Sequence, residues 1–284
     1  MSGATRAACV IGWPVKHSRS PLIHGHWIEQ YQLDAEYRRE EIAPEAFGDF
    51  ISHLSERGYT GANITIPHKE IALAMSEPDD RARAVGAANT LWFEGGRLLS
   101  TNTDVEGFTA NLDAAVPGWE KRAGEAVVLG AGGSARAIVY GLIERGIGRI
   151  NVVNRTLERS RALQARFGEV VQPANESALP HLLARAGLLV NTTSLGMTGQ
   201  PPLTIDLDPM PGHAVVTDLV YVPLETPLLA AARRRGLATA DGLGMLLYQA
   251  VRGFQLWFGV RPEVTPHLRA LIEADLATKT GLMK

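Results

Sequence analysis

Residues 126–156 read AVVLGAGGSARAIVYGLIERGIGRINVVNRT, and this stretch predicts the fold more directly than any other. A short apolar strand runs into a glycine-rich turn, a helical segment follows, and a second apolar strand ends at Asn154. Gly130 permits a tight turn, Gly132 lets backbone approach a pyrophosphate, and the small Ala135 lets the helix pack close to its strand. This order predicts a dinucleotide-binding unit whose helix N-terminus faces the phosphates.

The residues that follow the second strand distinguish between the two nicotinamide cofactors. An NAD site usually places Asp or Glu about 20 residues after the glycine turn, to hold the ribose hydroxyls. Here that neighbourhood holds Asn154, Arg155 and Thr156, with Arg159 one helical turn later. A guanidinium cannot accept from a hydroxyl but suits a 2′-phosphate, so the site is predicted to bind NADP. The alternative is a glycine-rich turn in some other α/β domain, and the flanking strands and arginines disfavour it.

Composition limits the classes of protein to which the chain can belong. Its 284 residues favour two domains, and an apolar content of 45% provides for packed cores. A net charge of −2 argues against a nucleic-acid or membrane partner held by charge. The single cysteine, Cys9, excludes an intrachain disulfide, and its apolar surroundings predict a core residue. We therefore expect a soluble, cytoplasmic protein that is a monomer or a homodimer.

Strands and helices alternate along the rest of the chain. Pro21 suits a first helical position with Ser20 as its N-cap, which predicts a helix over 21–32. The stretch 117–125 is interpreted as a polar connector before the dinucleotide unit. Further strands separated by helical stretches predict a parallel, doubly wound sheet, and they lie at 150–153, 188–191 and 215–219.

Polar residues outside the dinucleotide unit cluster at predicted strand ends and turns, where functional side chains are usually placed. In an extended strand Asn63 and Thr65 point to one face, so both can contact the same ligand. Lys69 begins a helix, where a cation opposes the helix dipole, and this conflict suggests a functional role. Each cluster also has a purely structural interpretation: Ser20 as a helix cap, Lys69 as a solvated surface lysine, and 102–104 as an ordinary turn.

Together these groups resemble the motifs of the shikimate dehydrogenase family, in order and spacing over nearly the whole chain. The resemblance is carried by Gly12-Trp13-Pro14, His17-Ser18-Arg19-Ser20-Pro21, Gly61-Ala62-Asn63-Ile64-Thr65-Ile66-Pro67-His68-Lys69, Gly86-Ala87-Ala88-Asn89-Thr90, Asn102-Thr103-Asp104, the glycine turn, Asn154-Arg155-Thr156, Asn191-Thr192-Thr193-Ser194 and Asp241-Gly242-Leu243-Gly244-Met245. The resemblance implies an N-terminal α/β substrate domain, a doubly wound Rossmann-type NADP-binding domain, and C-terminal helices that return to the first domain. The implied bounds are 1–104 with 243–284 for the substrate domain and 105–242 for the NADP-binding domain.

The resemblance also implies an activity, the reversible NADPH-dependent reduction of 3-dehydroshikimate to shikimate in the route to chorismate and the aromatic amino acids. Lys69 and Asp104 would then form the catalytic acid–base pair. The substrate would be bound by Ser18, Ser20, Asn63, Thr65, Lys69, Asn89, Asp104, Tyr221 and Gln249. The cofactor would be bound by Gly130, Ala131, Gly132, Gly133, Ser134, Asn154, Arg155, Thr156, Arg159, Leu219 and Gly242. The chemistry agrees, because hydride addition to a ketone leaves negative charge on oxygen, which an ammonium can protonate or stabilise.

Other functions fit less of the sequence. A quinate/shikimate dehydrogenase with relaxed NAD/NADP use would usually carry an acidic residue where Asn154 and Arg155 stand. A non-catalytic NADP-sensing relative would have no need to retain Lys69 and Asp104. A folate-pathway dehydrogenase of similar architecture fits the glycine turn but not the paired serines. No metal site is predicted, because no carboxylate or cysteine stands at ligand spacing from the histidines at 17, 24 and 26.

Overall fold

The computed structural model describes residues 6–279, and the chain divides into two compact units. One unit runs to Thr103 and resumes at Leu247, and the other is Asp104–Leu246. Compared with the expected domain bounds, Asp104 and residues 243–246 move into the second unit. The parts of those expected ranges at 1–5 and 280–284 lie outside the described residues. The helical residues from Leu247 onward cluster with the N-terminal residues, as the resemblance implies.

The first unit is built on a mixed sheet. Its elements up to Thr101 are β1 (Arg6–Gly12), α1 (Ser20–Gln30), β2 (Ala35–Glu41), α2 (Pro44–Ser52), β3 (Tyr59–Ile64), α3 (Lys69–Ala74), β4 (Glu77–Pro78), α4 (Asp80–Val85), β5 (Thr90–Glu94) and β6 (Arg97–Thr101). The strand order is β2-β1-β3-β5-β6-β4, with β1 parallel to both neighbours and β5 antiparallel to β3 and β6. β1 is almost uniformly apolar because it lies in the sheet interior, covered on both faces. Cys9 of this strand is buried in the core, as predicted.

The second unit carries the dinucleotide motif on a parallel sheet. Its elements are α5 (Asp104–Ala115), α6 (Trp119–Ala123), β7 (Glu125–Leu129), α7 (Gly133–Glu144), β8 (Arg149–Val153), α8 (Leu157–Phe167), β9 (Val171–Ala174), a 3₁₀ turn (Glu176–Ala178), α9 (Leu179–Leu183), β10 (Ala186–Asn191), β11 (Val215–Asp218), α10 (Pro227–Arg234) and β12 (Ala238–Ala240). The last two helices of the described residues are α11 (Gly242–Phe258) and α12 (Pro266–Lys279).

The strand order of the second sheet is β12-β11-β10-β7-β8-β9, with every pair parallel. Counted from β7, this is the doubly wound order of dinucleotide-binding folds, which confirms the predicted fold class. In such sheets ligands bind beyond the carboxyl ends of the strands, at the point where the strand order reverses. Here that point lies between β7 and β10.

The predicted polar connector at 117–125 is wrong in part, because it contains α6. Trp119, the first residue of this helix, is fully buried, and its indole N–H donates to the carboxylate of Asp113 at 2.9 Å. The charged residues around Trp119 concealed its role as a core anchor. Among the described residues, no helix has both the length and the apolar character that a membrane crossing requires.

Candidate active site

The two predicted carboxylate-binding serines are held side by side. The Ser18 hydroxyl donates to the Ser20 hydroxyl at 3.2 Å, and the Ser20 backbone N–H donates to the Ser18 oxygen at 3.3 Å. The prediction that Ser20 is the N-cap is wrong, because α1 begins at Ser20, and Arg19 stands at the cap position without a side-chain cap bond. Ser18 therefore satisfies a backbone N–H at this helix start, and the two hydroxyls are brought together.

Two guanidinium groups fix the backbone of the serine segment. Arg39 donates to the Ser18 carbonyl at 2.8 Å, and Arg19 donates to the His17 carbonyl at 2.6 Å. Arg19 also pairs with Asp275 of α12 at 3.1 Å, and its side chain is only 10% exposed. Charge-assisted bonds of this kind are stronger than neutral ones, so the geometry of the two hydroxyls is set before any ligand arrives.

Asn63 ends the polar face of β3, and its amide is engaged at both ends. The Asn63 oxygen accepts from the Tyr37 hydroxyl at 2.6 Å, and the Asn63 nitrogen donates to the Asn89 carbonyl at 3.3 Å and to the Thr90 hydroxyl at 3.2 Å. Thr65 lies beside it because Gly12 leaves room: a Cβ at Gly12 would lie 2.4 Å from the Thr65 methyl carbon. The close approach of these two chain segments therefore requires glycine.

Asn89 ties the turn before β5 to the segment that leaves the first unit. Its side-chain oxygen accepts from the Thr103 backbone N–H at 2.7 Å and lies 3.1 Å from the Thr90 hydroxyl. The neighbouring Asn102 donates to the Ala87 carbonyl at 2.9 Å. Asn89 and Asn102 are both almost fully buried, so these bonds form where water cannot replace them. Asn102 and Thr103, for which an ordinary turn was the structural alternative, are thus part of a buried polar network.

Lys69 is the first residue of α3 and is half-buried. The preceding residue, His68, is buried; its Nε2 lies 2.8 Å from the Ile42 carbonyl, and its ring stacks on Phe47 at 4.2 Å. A carbonyl can only accept, so Nε2 carries the proton, and burial lowers the pKa of His68, which favours the neutral ring. The Lys69 carbonyl accepts from the Ala88 N–H at 2.9 Å. The lysine side chain therefore starts from a backbone fixed on both sides.

Gln249 lies on α11, in the part of that helix that clusters with the first unit, and it is only 9% exposed. Farther along α11, Trp257 donates its indole N–H to the Leu91 carbonyl at 2.8 Å. The contact passes over Gly61, where a Cβ would lie 2.2 Å from both the Leu91 oxygen and the Trp257 nitrogen. Glycine at this position of β3 lets the helix dock against the sheet.

The glycine turn in the second unit has the predicted form. Gly130 adopts φ +95°, donates to the Val153 carbonyl at 2.8 Å, and approaches the β10 loop, where its Cβ would lie 2.8 Å from Thr193. Gly132 and Gly133 are exposed at the start of α7, and a Cβ on either would meet nothing within 4 Å. The helix N-terminus therefore opens onto free space of the kind that a pyrophosphate would fill, flanked by Ala131 and Ser134.

The segment after β8 presents positive charge. Arg155 and Arg159 are both exposed, and neither is paired with a carboxylate among residues 6–279. The Asn154 side chain donates to the Thr156 carbonyl at 2.8 Å, which braces the loop that carries Arg155. These residues therefore fit a phosphorylated ribose better than a free 2′-hydroxyl.

The carboxyl end of β11 brings two other predicted cofactor positions together. A Cβ at Gly242 would lie 2.3 Å from the Leu219 carbonyl oxygen, so α11 begins in direct contact with this backbone. The half-buried Tyr221 lies two residues farther on. The segment is fixed by Asp218, whose fully buried carboxylate accepts from the Val220 N–H at 3.0 Å and from the Thr226 hydroxyl at 2.7 Å. Burial raises the pKa of Asp218, and these hydrogen bonds oppose the rise.

Sequence reasoning missed the supporting side chains. Tyr37 had no signal, since it stands in a charged strand, and its contact with Asn63 spans 26 positions. His68 stood inside a quoted motif without a role of its own. Asp218 stands at the end of β11, a position that could have marked it as a residue that fixes the following segment.

Known protein families match segments of both units. Family models described as shikimate dehydrogenase substrate binding domain, shikimate / quinate 5-dehydrogenase and shikimate 5'-dehydrogenase C-terminal domain match residues 10–91, 118–197 and 242–272. A shikimate dehydrogenase (NADP(+)) of Nitrobacter winogradskyi is 66% identical over 271 residues, which cover 95% of this chain and 97% of the relative. One from Rhodopseudomonas palustris is 64% identical and covers 98% of this chain and 100% of the relative.

Two solved structures share the fold of this chain. The shikimate 5-dehydrogenase of Thermus thermophilus, in complex with NADP(H) and shikimate, superposes with a TM-score of 0.83 at 33% identity, covering 96% of this chain and 98% of that one. The quinate dehydrogenase of Corynebacterium glutamicum, in complex with NAD, has a TM-score of 0.87 at 29% identity, covering 95% of this chain and 99% of that one.

Proposed function

Because this chain belongs to the shikimate dehydrogenase family, we propose that it catalyses the reversible, NADPH-dependent reduction of 3-dehydroshikimate to shikimate. The reaction would serve chorismate and aromatic amino acid biosynthesis in the cytoplasm. The observation that carries the proposal is the 66% identity, over 95% of the chain, to a relative named for this activity. The geometry of each unit supports it. One unit presents clustered hydroxyl and amide groups, and the other presents an open glycine turn and two exposed arginines.

The first unit would bind the substrate. The adjacent hydroxyls of Ser18 and Ser20 suit a carboxylate, which accepts hydrogen bonds on both oxygens. The resemblance also assigns Tyr221 to substrate binding. The ring hydroxyls and the reacting oxygen would be bound by Asn63, Thr65, Asn89, Asp104 and Gln249. The buried hydrogen bonds around Asn63 and Asn89 hold these amides in place, which reduces the entropy lost on binding.

Lys69 would act on the reacting oxygen. The cofactor supplies hydride to the carbonyl carbon, and negative charge develops on oxygen as that bond forms. The Lys69 ammonium stabilises this charge and donates the proton, and in the reverse direction the amine accepts it. The resemblance makes Asp104 the second acid–base residue. Lys69 and Asp104 are each the first residue of a helix.

The second unit would bind NADP. The turn formed by Gly130, Gly132 and Gly133, with Ala131 and Ser134, would hold the pyrophosphate at the N-terminus of α7. Arg155 and Arg159, with Asn154 and Thr156, would surround the 2′-phosphate. Leu219 and Gly242, which are in contact at the carboxyl end of β11, would line the nicotinamide.

The first experiment is a rate assay with purified protein in four combinations: shikimate or quinate, with NADP⁺ or NAD⁺. A strong preference for shikimate with NADP⁺ is expected. Comparable rates with quinate or NAD⁺ would instead make the protein a quinate/shikimate dehydrogenase of relaxed specificity. No turnover in any combination, from protein that binds NADP⁺, would overturn the activity and leave a non-catalytic NADP-binding relative.

A substitution tests the role of Lys69. Lys69→Ala is expected to lower kcat by at least about 10²-fold with a smaller effect on KM, because a positioned acid–base group typically contributes 10²–10⁴-fold. The matched control is Lys121→Ala, which removes an exposed lysine that has no assigned role. A Lys69→Ala protein with near-normal kcat would remove Lys69 from the mechanism.

A further inference from the structure

Tyr37 is hydrogen-bonded to the predicted substrate-binding residue Asn63, and the proposed function gives Tyr37 no role. It stands on β2, and its hydroxyl donates to the side-chain oxygen of Asn63, on β3, at 2.6 Å. β1 separates these two strands in the sheet, so this bond links positions that are not neighbours in the hydrogen-bonded ladder. The bond is therefore made by the side chains alone.

This bond acts together with two others to fix which way the Asn63 amide points. Both N–H groups of Asn63 have acceptors, the Asn89 carbonyl and the Thr90 hydroxyl. A flipped amide would place the Asn63 oxygen against the Asn89 carbonyl oxygen, which repels it, and would leave the Tyr37 hydroxyl without an acceptor. With Tyr37 donating, the one remaining capacity of Asn63 is a second lone pair on its oxygen. That oxygen is therefore available to accept one further hydrogen bond.

The Tyr37 ring is itself held in place. It stacks on the ring of His24, with centroids 4.1 Å apart and an angle of 15° between the planes. His24 is fully buried on α1, between Tyr37 and the ring of Phe254. Burial raises the pKa of Tyr37 well above its ordinary value, and a hydrogen bond with Ser20 opposes the rise. The hydroxyl therefore remains a proton donor throughout the working pH range.

We propose that Tyr37 is a positioning residue for substrate binding, which acts by fixing the amide of Asn63 as a hydrogen-bond acceptor toward a substrate hydroxyl. The inference rests on the proposed function, since it takes Asn63 to contact the substrate. Tyr37 makes no contact with the reacting atoms in this scheme. Loss of its hydroxyl should weaken binding of the substrate and of the transition state to the same extent, which raises KM and leaves kcat unchanged.

The test is Tyr37→Phe, which keeps the ring and removes the donor. We expect KM for shikimate to rise about tenfold, since a buried hydrogen bond contributes on this order. The value of kcat should change less than about threefold, and KM for NADP⁺ should not change. Tyr31→Phe is the control, because Tyr31 is a half-buried tyrosine of the same unit whose ring contacts Phe254. Among residues 6–279, no hydrogen bond joins Tyr31 to a proposed substrate residue.

A double-mutant cycle with Asn63→Ala separates positioning from general packing. If Tyr37 acts through Asn63, Tyr37→Phe should raise KM much less in the Asn63→Ala background than in the wild type. Equal effects in both backgrounds, or an unchanged KM in Tyr37→Phe, would overturn the inference. Wild-type protein that turns over neither shikimate nor quinate would instead overturn the proposed function. A variant that is merely less stable does not give the expected result. A smaller fraction of folded enzyme lowers the apparent kcat and leaves KM unchanged, whereas the expected change is in KM.

Discussion

Acidification from pH 8 to pH 5 is expected to lower the free energy of unfolding, because His24 is buried without its proton. The ring is fully buried, and among the described residues neither of its nitrogens has a hydrogen-bond partner. Burial lowers the pKa of His24 to about 3. In the unfolded chain a histidine titrates near pH 6.5, so between these values the unfolded state binds a proton that the native state does not.

The size of the effect follows from the two pKa values. A group whose native pKa is lowered contributes full stability above its unfolded pKa, and that contribution is lost as the pH falls toward the native value. With an unfolded pKa of about 6.5, the loss is negligible at pH 8 and reaches about 2 kcal/mol at pH 5. The slope approaches about 1.4 kcal/mol per pH unit below pH 6.

The assay is urea unfolding at several pH values between 5 and 8, on the wild type and on His24→Phe. Phenylalanine keeps an aromatic ring among Trp27, Tyr37 and Phe254, and any packing cost of its larger ring is the same at every pH. The free energy of unfolding of the wild type, relative to the variant, should therefore fall by about 2 kcal/mol from pH 8 to pH 5.

The control for this titration is Gly25→Ala, in the same helix, which adds a methyl group in open space and removes no titratable group. There the difference from the wild type should not change with pH. If the difference between the wild type and His24→Phe also proved independent of pH, the reasoning from burial would be refuted. His24 would then bind its proton equally well in the native and unfolded states.

Two further predictions address packing and the cofactor. Gly61→Ala should lower the free energy of unfolding by at least about 2 kcal/mol, because its Cβ would lie 2.2 Å from a backbone oxygen and from the Trp257 indole. Gly25 lies within α1, and a Cβ there would meet nothing within 4 Å, so Gly25→Ala should raise the free energy of unfolding by about 0.5–1 kcal/mol. Equal effects of the two substitutions in urea unfolding would contradict the steric argument. Arg155→Ser should raise KM for NADP⁺ about tenfold or more and leave KM for NAD⁺ nearly unchanged, since the lost bond is to the 2′-phosphate. Parallel changes in both KM values would remove that contact from the proposal.

Local sequence was sufficient for the dinucleotide unit because its signals are local. A strand, a glycine that adopts φ +95° and a helix follow one another within a few residues, and the sterics of Gly130 operate between adjacent peptides and the next loop. The same holds for the exposed Arg155 and Arg159, because their positive charge can be identified from the sequence without knowing which residues surround them. The parallel sheet then follows from the repetition of strand and helix.

The roles of the candidate active-site residues came from motifs, and the tertiary structure decided what holds those residues in place. Ser20 looked like a helix cap until the structure made it the first helical residue beside Ser18. Trp119 lay in a polar stretch that predicted a connector, yet burial of its indole outweighs its charged neighbours. Tyr37 gave no signal, because a hydrogen bond across 26 positions leaves no local pattern. The sequence by itself determined the glycine turn, the positive charge beside it and the order of the motifs, because these depend on neighbouring residues. The orientation of each supporting side chain was decided only when distant segments packed together and water was excluded between them.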